Sequence, residues 1–283
     1  MMIVKQVTAL RHFLSGQKEN GIKTGFVPTM GALHQGHISL IERSKNETGL
    51  TICSIFVNPA QFNDPTDFRK YPVNTENDIL LLEKAGCDVL FLPTVDEIYP
   101  GGQIPDTHYP LGYLETILEG KYRPGHFQGV CKVVHRLLDA VQPDNLYLGQ
   151  KDYQQCMVIE KLVQLIGPGL TPAIIQCPTL REPDGLAMSS RNMRLTQEER
   201  QTATTIYQSL LQIKEELQPG NLSPVIENAK NLLKKNGFKT DYVSIADAQT
   251  LQPVDQWDGQ VKLVALIAAF LNEVRLIDNL LLN

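Results

Sequence analysis

A Rossmann-like, doubly wound parallel α/β sheet followed by a smaller C-terminal α+β domain is the fold class predicted here, and three features of the sequence predict it. Short apolar runs alternate with longer amphipathic ones over the first two thirds of the chain. From Val130 onward, Val133, Val134, Leu137, Leu138 and Val141 keep the i, i+3, i+4 rhythm of a helix with one buried face. Near residue 180 the pattern changes to the turn-rich TLREPDGLAMSSRNMRL, with Pro183, Asp184 and Gly185 together. Strands that alternate with helices form a parallel sheet covered on both faces.

The elements follow in order. GFVPT (25–29) reads as a strand and HISLIERSK (37–45) as a helix; TICSIFV (51–57) is a second strand, followed by a helix over about 75–85. DVLFL (88–92) is a third strand. NLYLG (145–149) and AIIQC (173–177) bracket a helix built on Met157, Ile159, Leu162, Val163 and Ile166. Beyond 180, helices over about 196–217 and 223–236 flank QPGNLSP, and strands are expected at 241–247, 262–270 and 274–282. The division falls between 1–179, the parallel α/β domain, and 180–283, a smaller α+β domain. The chain shows neither an internal repeat nor a low-complexity tract.

Composition narrows the function classes. With 42% hydrophobic and 20% charged residues, the chain is ordinary for a globular protein, and its 283 residues suffice for one large or two modest domains. A net charge of −5 supplies no global basic field, so neither nucleic acid nor an anionic membrane is an expected partner. The five cysteines are scattered without a C-x-x-C pair and read as buried, reduced thiols. The N-terminus lacks the apolar core of a signal peptide, and VKLVALIAAFL (261–271) is shorter than the ~20 residues a membrane helix needs. A soluble, cytoplasmic protein is expected.

GFVPTMGALHQGHISLIERSK (25–45) concentrates the chemistry. His34 and His37 stand three apart, with Gly36 between them, where the first strong strand turns into a helix. In an open parallel sheet, ligands bind at such turns, beyond the carboxyl ends of the strands. Gly31 and Gly36 let the backbone approach a ligand. The helix N-terminus offers unpaired N–H groups and partial positive charge to a phosphate. Two imidazoles add donors able to follow charge as it develops on phosphate oxygens. The pair could instead be structural, or supply two metal ligands; a zinc site wants three or four, and no nearby Cys or carboxylate completes one. H-x-G-H at this position resembles the signature of the nucleotidyl-transferring superfamily that includes class I aminoacyl-tRNA synthetases.

Two stretches offer the cation such a site needs. YLGQKDYQQ (147–155) places Lys151 and Asp152 in the loop after a strand, where Lys151 could hold a phosphate and Asp152 a ribose hydroxyl; the alternative is a solvated pair at a helix start. GLAMSSRN (185–192) sets two hydroxyls and a guanidinium in succession, either a phosphate-binding set or a surface loop with capping serines. It resembles the lysine-bearing loop of class I synthetases, with Arg191 as the cation. FVNPAQFN (56–63) adds the amides of Asn58 and Gln61 at another sheet edge. Gln155 lies one helical turn beyond Lys151.

PTMGALHQGH, FVNPAQF, EGKYRPGHFQGV, QPDNLYLGQKDYQQ and DGLAMSSRN occur together in an order and spacing that resembles the pantoate–β-alanine ligase (pantothenate synthetase) family, over nearly the whole chain to RLIDNL. The resemblance implies an ATP-dependent ligase that condenses (R)-pantoate with β-alanine to pantothenate through a pantoyl adenylate, releasing AMP and diphosphate, with Mg²⁺ accompanying ATP. It implies a homodimer. It also implies residue roles. Met30, Gly31, Ala32, Leu33, His34, Gln35, Gly36 and His37 would line the ATP site, His34 and His37 on the phosphates. Gly149, Gln150, Lys151 and Asp152 would contact ATP as well, Leu180 and Met188 its adenine, and Ser189, Ser190 and Arg191 its phosphates. By the same resemblance His37, His34, Lys151 and Arg191 would be the catalytic set. Gln61 and Gln155 would hold pantoate, and Gln61 would also border β-alanine. The family's acidic run after the Tyr-Pro pair is diluted here to Glu76-Asn77-Asp78; Asp78 is a candidate near the metal, with no direct protein ligand assigned. Arg123 and His126 receive no role.

A nucleotidylyltransferase acting on a phosphorylated acceptor is the nearest rival, but it would want basic residues where this chain has Gln61 and Gln155. A nucleotide sensor that had kept only the fold would be expected to lose His37, Lys151 or Arg191. A tRNA synthetase would carry a basic anticodon-binding extension.

Overall fold

The computed structural model describes residues 1–62 and 68–283, so Asn63, the last residue of FVNPAQFN, lies outside the described residues. The chain forms two compact units: Met1–Gln150 with Gln154–Pro178, and Lys151–Tyr153 with Thr179–Asn283.

The first unit is built on six strands: β1 (Met2–Val4), β2 (Thr24–Thr29), β3 (Leu50–Ile55), β4 (Val89–Phe91), β5 (Asn145–Gly149) and β6 (Ala173–Cys177). They form one parallel sheet in the order β1-β4-β3-β2-β5-β6. Its central strands are buried on both sides. Phe26, Ile52 and Leu146 join one apolar core, while their neighbours Val27, Cys53 and Tyr147 join another. That alternation is the strand's two-residue period, read by helices on each face. α2 (Gln35–Glu47) and α3 (Thr75–Lys84) contribute Leu40, Ile41 and Leu82 to the second core. α1 (Val7–Glu19), α4 (His126–Val141) and α5 (Tyr153–Ile166) contribute Leu10, Leu14, Leu138 and Leu162 to the first. All five cysteines are buried thiols.

The sequence of connections reverses between β2 and β5, which lie side by side with Gly25 opposite Asn145. The carboxyl ends of these two strands carry Met30–His37 and Gly149–Gln150. That reversal is where an open α/β sheet leaves a crevice for ligands.

In the second unit, β7 (Gly220–Asn221) pairs with β9 (Gln256–Trp257), and β8 (Phe238–Asp247), β10 (Leu263–Leu271) and β11 (Val274–Leu281) form an antiparallel sheet ordered β11-β10-β8. α6 (Thr205–Glu215) and α7 (Ser223–Lys235) share its core: Ile206, Leu210 and Leu233 cluster with Ala265, Ile267 and Ala269. A two-residue turn joins β10 to β11, with Asn272 at φ 49°, a conformation asparagine tolerates.

Two elements at the N-terminus have no counterpart in the sequence reading. β1 has three residues, too few to display a period, and α1 follows it. The helix expected over 196–217 is two helices, Gln197–Thr202 and α6. At the break, the hydroxyls of Thr202 and Thr204 donate to the carbonyls of Glu198 (3.1 Å) and Gln201 (2.7 Å), local bonds that compete with a continuous helix. α2 begins two residues earlier than expected, at Gln35.

Two close contacts shape the turns after β2 and β3. Gly31 (φ 80°) and Ala32 (φ 49°) are successive left-handed residues. They direct the N–H groups of Ala32 and Leu33 onto the carboxylate of Asp78 in the first turn of α3, at 2.8 and 2.7 Å. A Cβ on Gly31 would stand 3.0 Å from Asp78 Oδ2. In the other contact, α4 presses on the Pro59–Gln61 turn so tightly that a Cβ on Gly129 would lie 2.1 Å from the Ala60 carbonyl oxygen.

Burial pushes the Asp78 carboxyl above its ordinary range, and the bonds from Leu33 and Ala32 pull it only part of the way back. The folded chain therefore holds that proton more tightly than the unfolded chain does. Asp78's share of stability is full below its unfolded value, about 3.9, and is lost as pH rises through the higher folded value. Urea midpoints of the wild type and Asp78→Asn, measured from pH 3.5 to 7, should thus show their difference moving against the wild type as pH rises. The opposite trend would mean that the two N–H bonds outweigh burial. Gly129→Ala should cost about 1–3 kcal/mol of stability by overpacking, read from the same titration at neutral pH.

Candidate active site

The turn after β2 is fixed before any ligand is considered. The Thr29 hydroxyl donates to the Ser54 carbonyl (2.8 Å) and accepts from Gly31 N–H (3.2 Å). Ala32 and Leu33 are buried, and Asp78 holds their N–H groups. His34 is thereby delivered to the N-cap of α2 in an extended conformation. Its Nδ1 accepts from Gly36 N–H at 3.2 Å, while His37 Nδ1 accepts from the N–H of His34 at 3.3 Å. This is a capping box in which imidazole nitrogens replace the usual hydroxyl and carboxylate. The rings lie 4.0 Å apart. An Nδ1 that accepts cannot carry the proton, so both rings are neutral with their hydrogen on Nε2. The helix start therefore presents two N–H donors without fixed charge.

The turn after β3 positions Gln61. Buried Asn58 is fully used: its Oδ1 accepts from Ala60 N–H (3.2 Å) and Tyr99 Oη (2.9 Å), and its Nδ2 donates to the Gly129 carbonyl (3.1 Å) and to Gln61 Oε1 (3.3 Å). Asn58 is thus a scaffold residue. Gln61 Nε2 donates to Met30 Sδ at 2.9 Å, which joins this turn to the one after β2.

Arg123 and His126, which sequence reasoning left without a role, act on Gln61 from behind. An arginine can only donate, so Arg123 Nη1 donates to His126 Nε2 (3.0 Å), and His126 Nδ1–H donates to the Gln61 carbonyl (2.8 Å). The sequence signal was the motif EGKYRPGHFQGV, which supports the resemblance without giving either residue a role. Of the adjacent glutamines on α5, Gln154 is structural: it accepts from Glu119 N–H and donates to the Leu114 and Ile117 carbonyls. Gln155 is half-buried.

A cavity of about 260 Å³ lies against the other side of the Met30–Ala32 turn, lined by Phe56, Asp78, Leu92 and Val95 among others. It touches neither histidine nor Gln61.

In the second unit, Lys151 and Asp152 sit in the short Gln150–Asp152 turn, with Lys151 Nζ 3.7 Å from Asp152 Oδ2. Lys151 is mostly buried and Asp152 about half exposed. Ser189 caps the Ser190–Arg194 turn, its Oγ accepting from Arg191 N–H at 3.3 Å. Met188 N–H donates to the Leu180 carbonyl (3.1 Å), so the two residues expected at adenine lie side by side. Between them a tight turn carries Gly185 at φ 93°, where a Cβ would strike the Tyr207 ring.

Among the described residues, no group of three or more His, Cys, Asp or Glu side chains could hold a metal ion. Asp78, the residue expected near the metal, has both oxygens on main-chain N–H groups. None of the described helices is long and apolar enough to cross a membrane.

The family model for pantoate-beta-alanine ligase matches residues 2–281. Pantothenate synthetase of Cytophaga hutchinsonii is 44% identical over 287 residues, covering 100% of this chain and 99% of the relative. That of Bacteroides thetaiotaomicron is 43% identical over 282 residues, covering 99% and 98%. Among solved structures, the Thermus thermophilus pantothenate synthetase superposes with a TM-score of 0.89 at 40% identity and 99% coverage of both chains. The Francisella tularensis pantoate-beta-alanine ligase, complexed with beta-gamma ATP and beta-alanine, gives 0.84 at 40% identity, covering 99% of this chain and 97% of its own. With matches of this extent, on a parallel sheet that carries the H-x-G-H turn at its reversal, the chain belongs to the pantoate-beta-alanine ligase family.

Proposed function

We propose that the chain condenses pantoate with β-alanine in two steps through a pantoyl adenylate. A pantoate carboxylate oxygen attacks the α-phosphorus of ATP, and the bond to the bridging oxygen breaks to release diphosphate. The β-alanine amine then attacks the acyl carbon; the acyl–oxygen bond to AMP breaks and the amine loses a proton. The pair of imidazoles at the start of α2, each accepting a main-chain N–H at Nδ1, is the observation that carries this reading. Charge grows on phosphate oxygens in the first step, and preorganised neutral donors stabilise it without first binding the ground-state anion as a cation would.

Met30–His37 and Gly149–Asp152 bind ATP, with Asp152 on the ribose. Leu180 and Met188 meet the adenine. Lys151, Ser189, Ser190 and Arg191 hold the phosphates, and magnesium enters with ATP as part of the substrate. Gln61 and Gln155 hold pantoate, with Gln61 bordering β-alanine, the amino acid present in the Francisella complex. The enzyme works as a cytoplasmic homodimer.

Mixing enzyme with MgATP and pantoate should release one equivalent of diphosphate per active site, and steady AMP turnover should begin only once β-alanine is added. Diphosphate release that requires β-alanine would exclude the free-standing adenylate. His37→Ala and Lys151→Ala should each slow the diphosphate burst by about 2–4 kcal/mol of transition-state free energy. Burst rates near wild type in either variant would remove that residue from the first step.

A further inference from the structure

Lys151 lies in the single-turn 3-10 helix Gln150–Asp152, which leads directly into α5. A further contact to its main chain comes from the far end of the chain. Asn279 on β11, almost fully buried, donates from Nδ2 to the Lys151 carbonyl at 2.8 Å, across 128 positions of sequence. Tyr153 Oη adds a bond to the Ala248 carbonyl at 2.6 Å. These bonds explain why Lys151–Tyr153 belongs to the second unit although it is flanked by the first.

Asn279 is itself held on both sides. Its N–H donates to Asp278 Oδ1 (2.8 Å), and its carbonyl accepts from Arg181 Nη2 (3.2 Å). Arg181 forks onto both carboxylate oxygens of buried Asp278, at 2.6 and 3.0 Å, and stacks 3.9 Å from the Tyr207 ring. The same guanidinium donates to the Gly185 carbonyl at 3.1 Å, at the head of the turn that leads to Met188–Arg191. One dipeptide of β11 thus anchors both stretches that carry a proposed phosphate-binding cation.

We propose that Asn279 is a positioning residue for the adenylation step, fixing the main chain of Lys151 so that its ammonium meets the phosphates in register with Arg191. The inference rests on the role given to Lys151 above. A lysine ends in a point charge on a flexible four-carbon stem, so its placement depends on where the main chain starts. Misplacing a reacting or stabilising group by about 1 Å can cost roughly 100-fold in rate.

The test is a double-mutant cycle read by single-turnover diphosphate release from MgATP and pantoate, with the thermal midpoint of every variant recorded. Asn279→Ala and Asn279→Leu, the second preserving the side-chain volume, should each slow the burst about 10- to 100-fold at saturating substrate. The β-alanine KM should stay within about 2-fold of wild type. On a Lys151→Ala background, Asn279→Ala should change the burst by less than about 2-fold, because the group it positions is gone. Full loss in both backgrounds would overturn the proposal, and so would a lowered thermal midpoint with a wild-type burst, since each marks a structural role only. A wild-type burst in Lys151→Ala alone would instead overturn the assignment of Lys151, and this inference with it.

Discussion

A buried carboxylate that accepts two main-chain N–H groups is the interaction on which the rest of the first unit's site depends. Where β2 ends, the parallel ladder stops satisfying the backbone, yet Ala32 and Leu33 remain buried. Left unpaired, each buried N–H would cost about 1–3 kcal/mol. Asp78 takes both, and the left-handed pair Gly31–Ala32 is the backbone path that brings them to it. Because the turn closes there, His34 arrives at the N-cap and α2 starts one residue later. The carboxylate thereby fixes the turn from which His34 starts.

The histidines show how one residue type is given different chemistry by its partners. His34 and His37 accept main-chain N–H groups at Nδ1 and so keep their proton on Nε2. His126 receives Arg123 at Nε2 and so keeps its proton on Nδ1, where it donates to the Gln61 carbonyl. Two of these rings stand at a helix start, and the third holds the Gln61 turn through its carbonyl. The H-x-G-H pattern singles out the first two, but no pattern in the sequence gives the tautomers, since these are set by groups as far away as Gln61 from His126.

Legibility followed sequence distance. The central strands, α4 and the H-x-G-H turn declare themselves through period and local turn chemistry, because their partners lie within a few residues or repeat along the same element. The grouping of Lys151 with the second unit does not: it depends on Asn279 and Ala248, more than ninety positions away. A reading by continuous segments places the boundary near 180, whereas the contacts also give Lys151–Tyr153 to the second unit. Asp78 is a second case: the groups it holds, Ala32 and Leu33, lie 46 and 45 residues upstream.

The distribution of charge among these groups follows from what the first step needs. A carboxylate nucleophile paired with a cation would be stabilised before reaction more than in the transition state, and part of its reactivity would be lost. Gln61 is a neutral amide held at its carbonyl by His126 and at its side chain by Asn58 and Met30, so it can orient a carboxylate without neutralising it. Full positive charge is reserved for Lys151 and Arg191, whose proposed partners are the phosphates, where charge accumulates as diphosphate departs. A cation is useful there only if it cannot drift toward the nucleophile. The Arg181–Asp278 fork ties the dipeptide that holds the Lys151 carbonyl to the turn before Met188–Arg191, and removing one partner of such a buried pair costs about 3–5 kcal/mol.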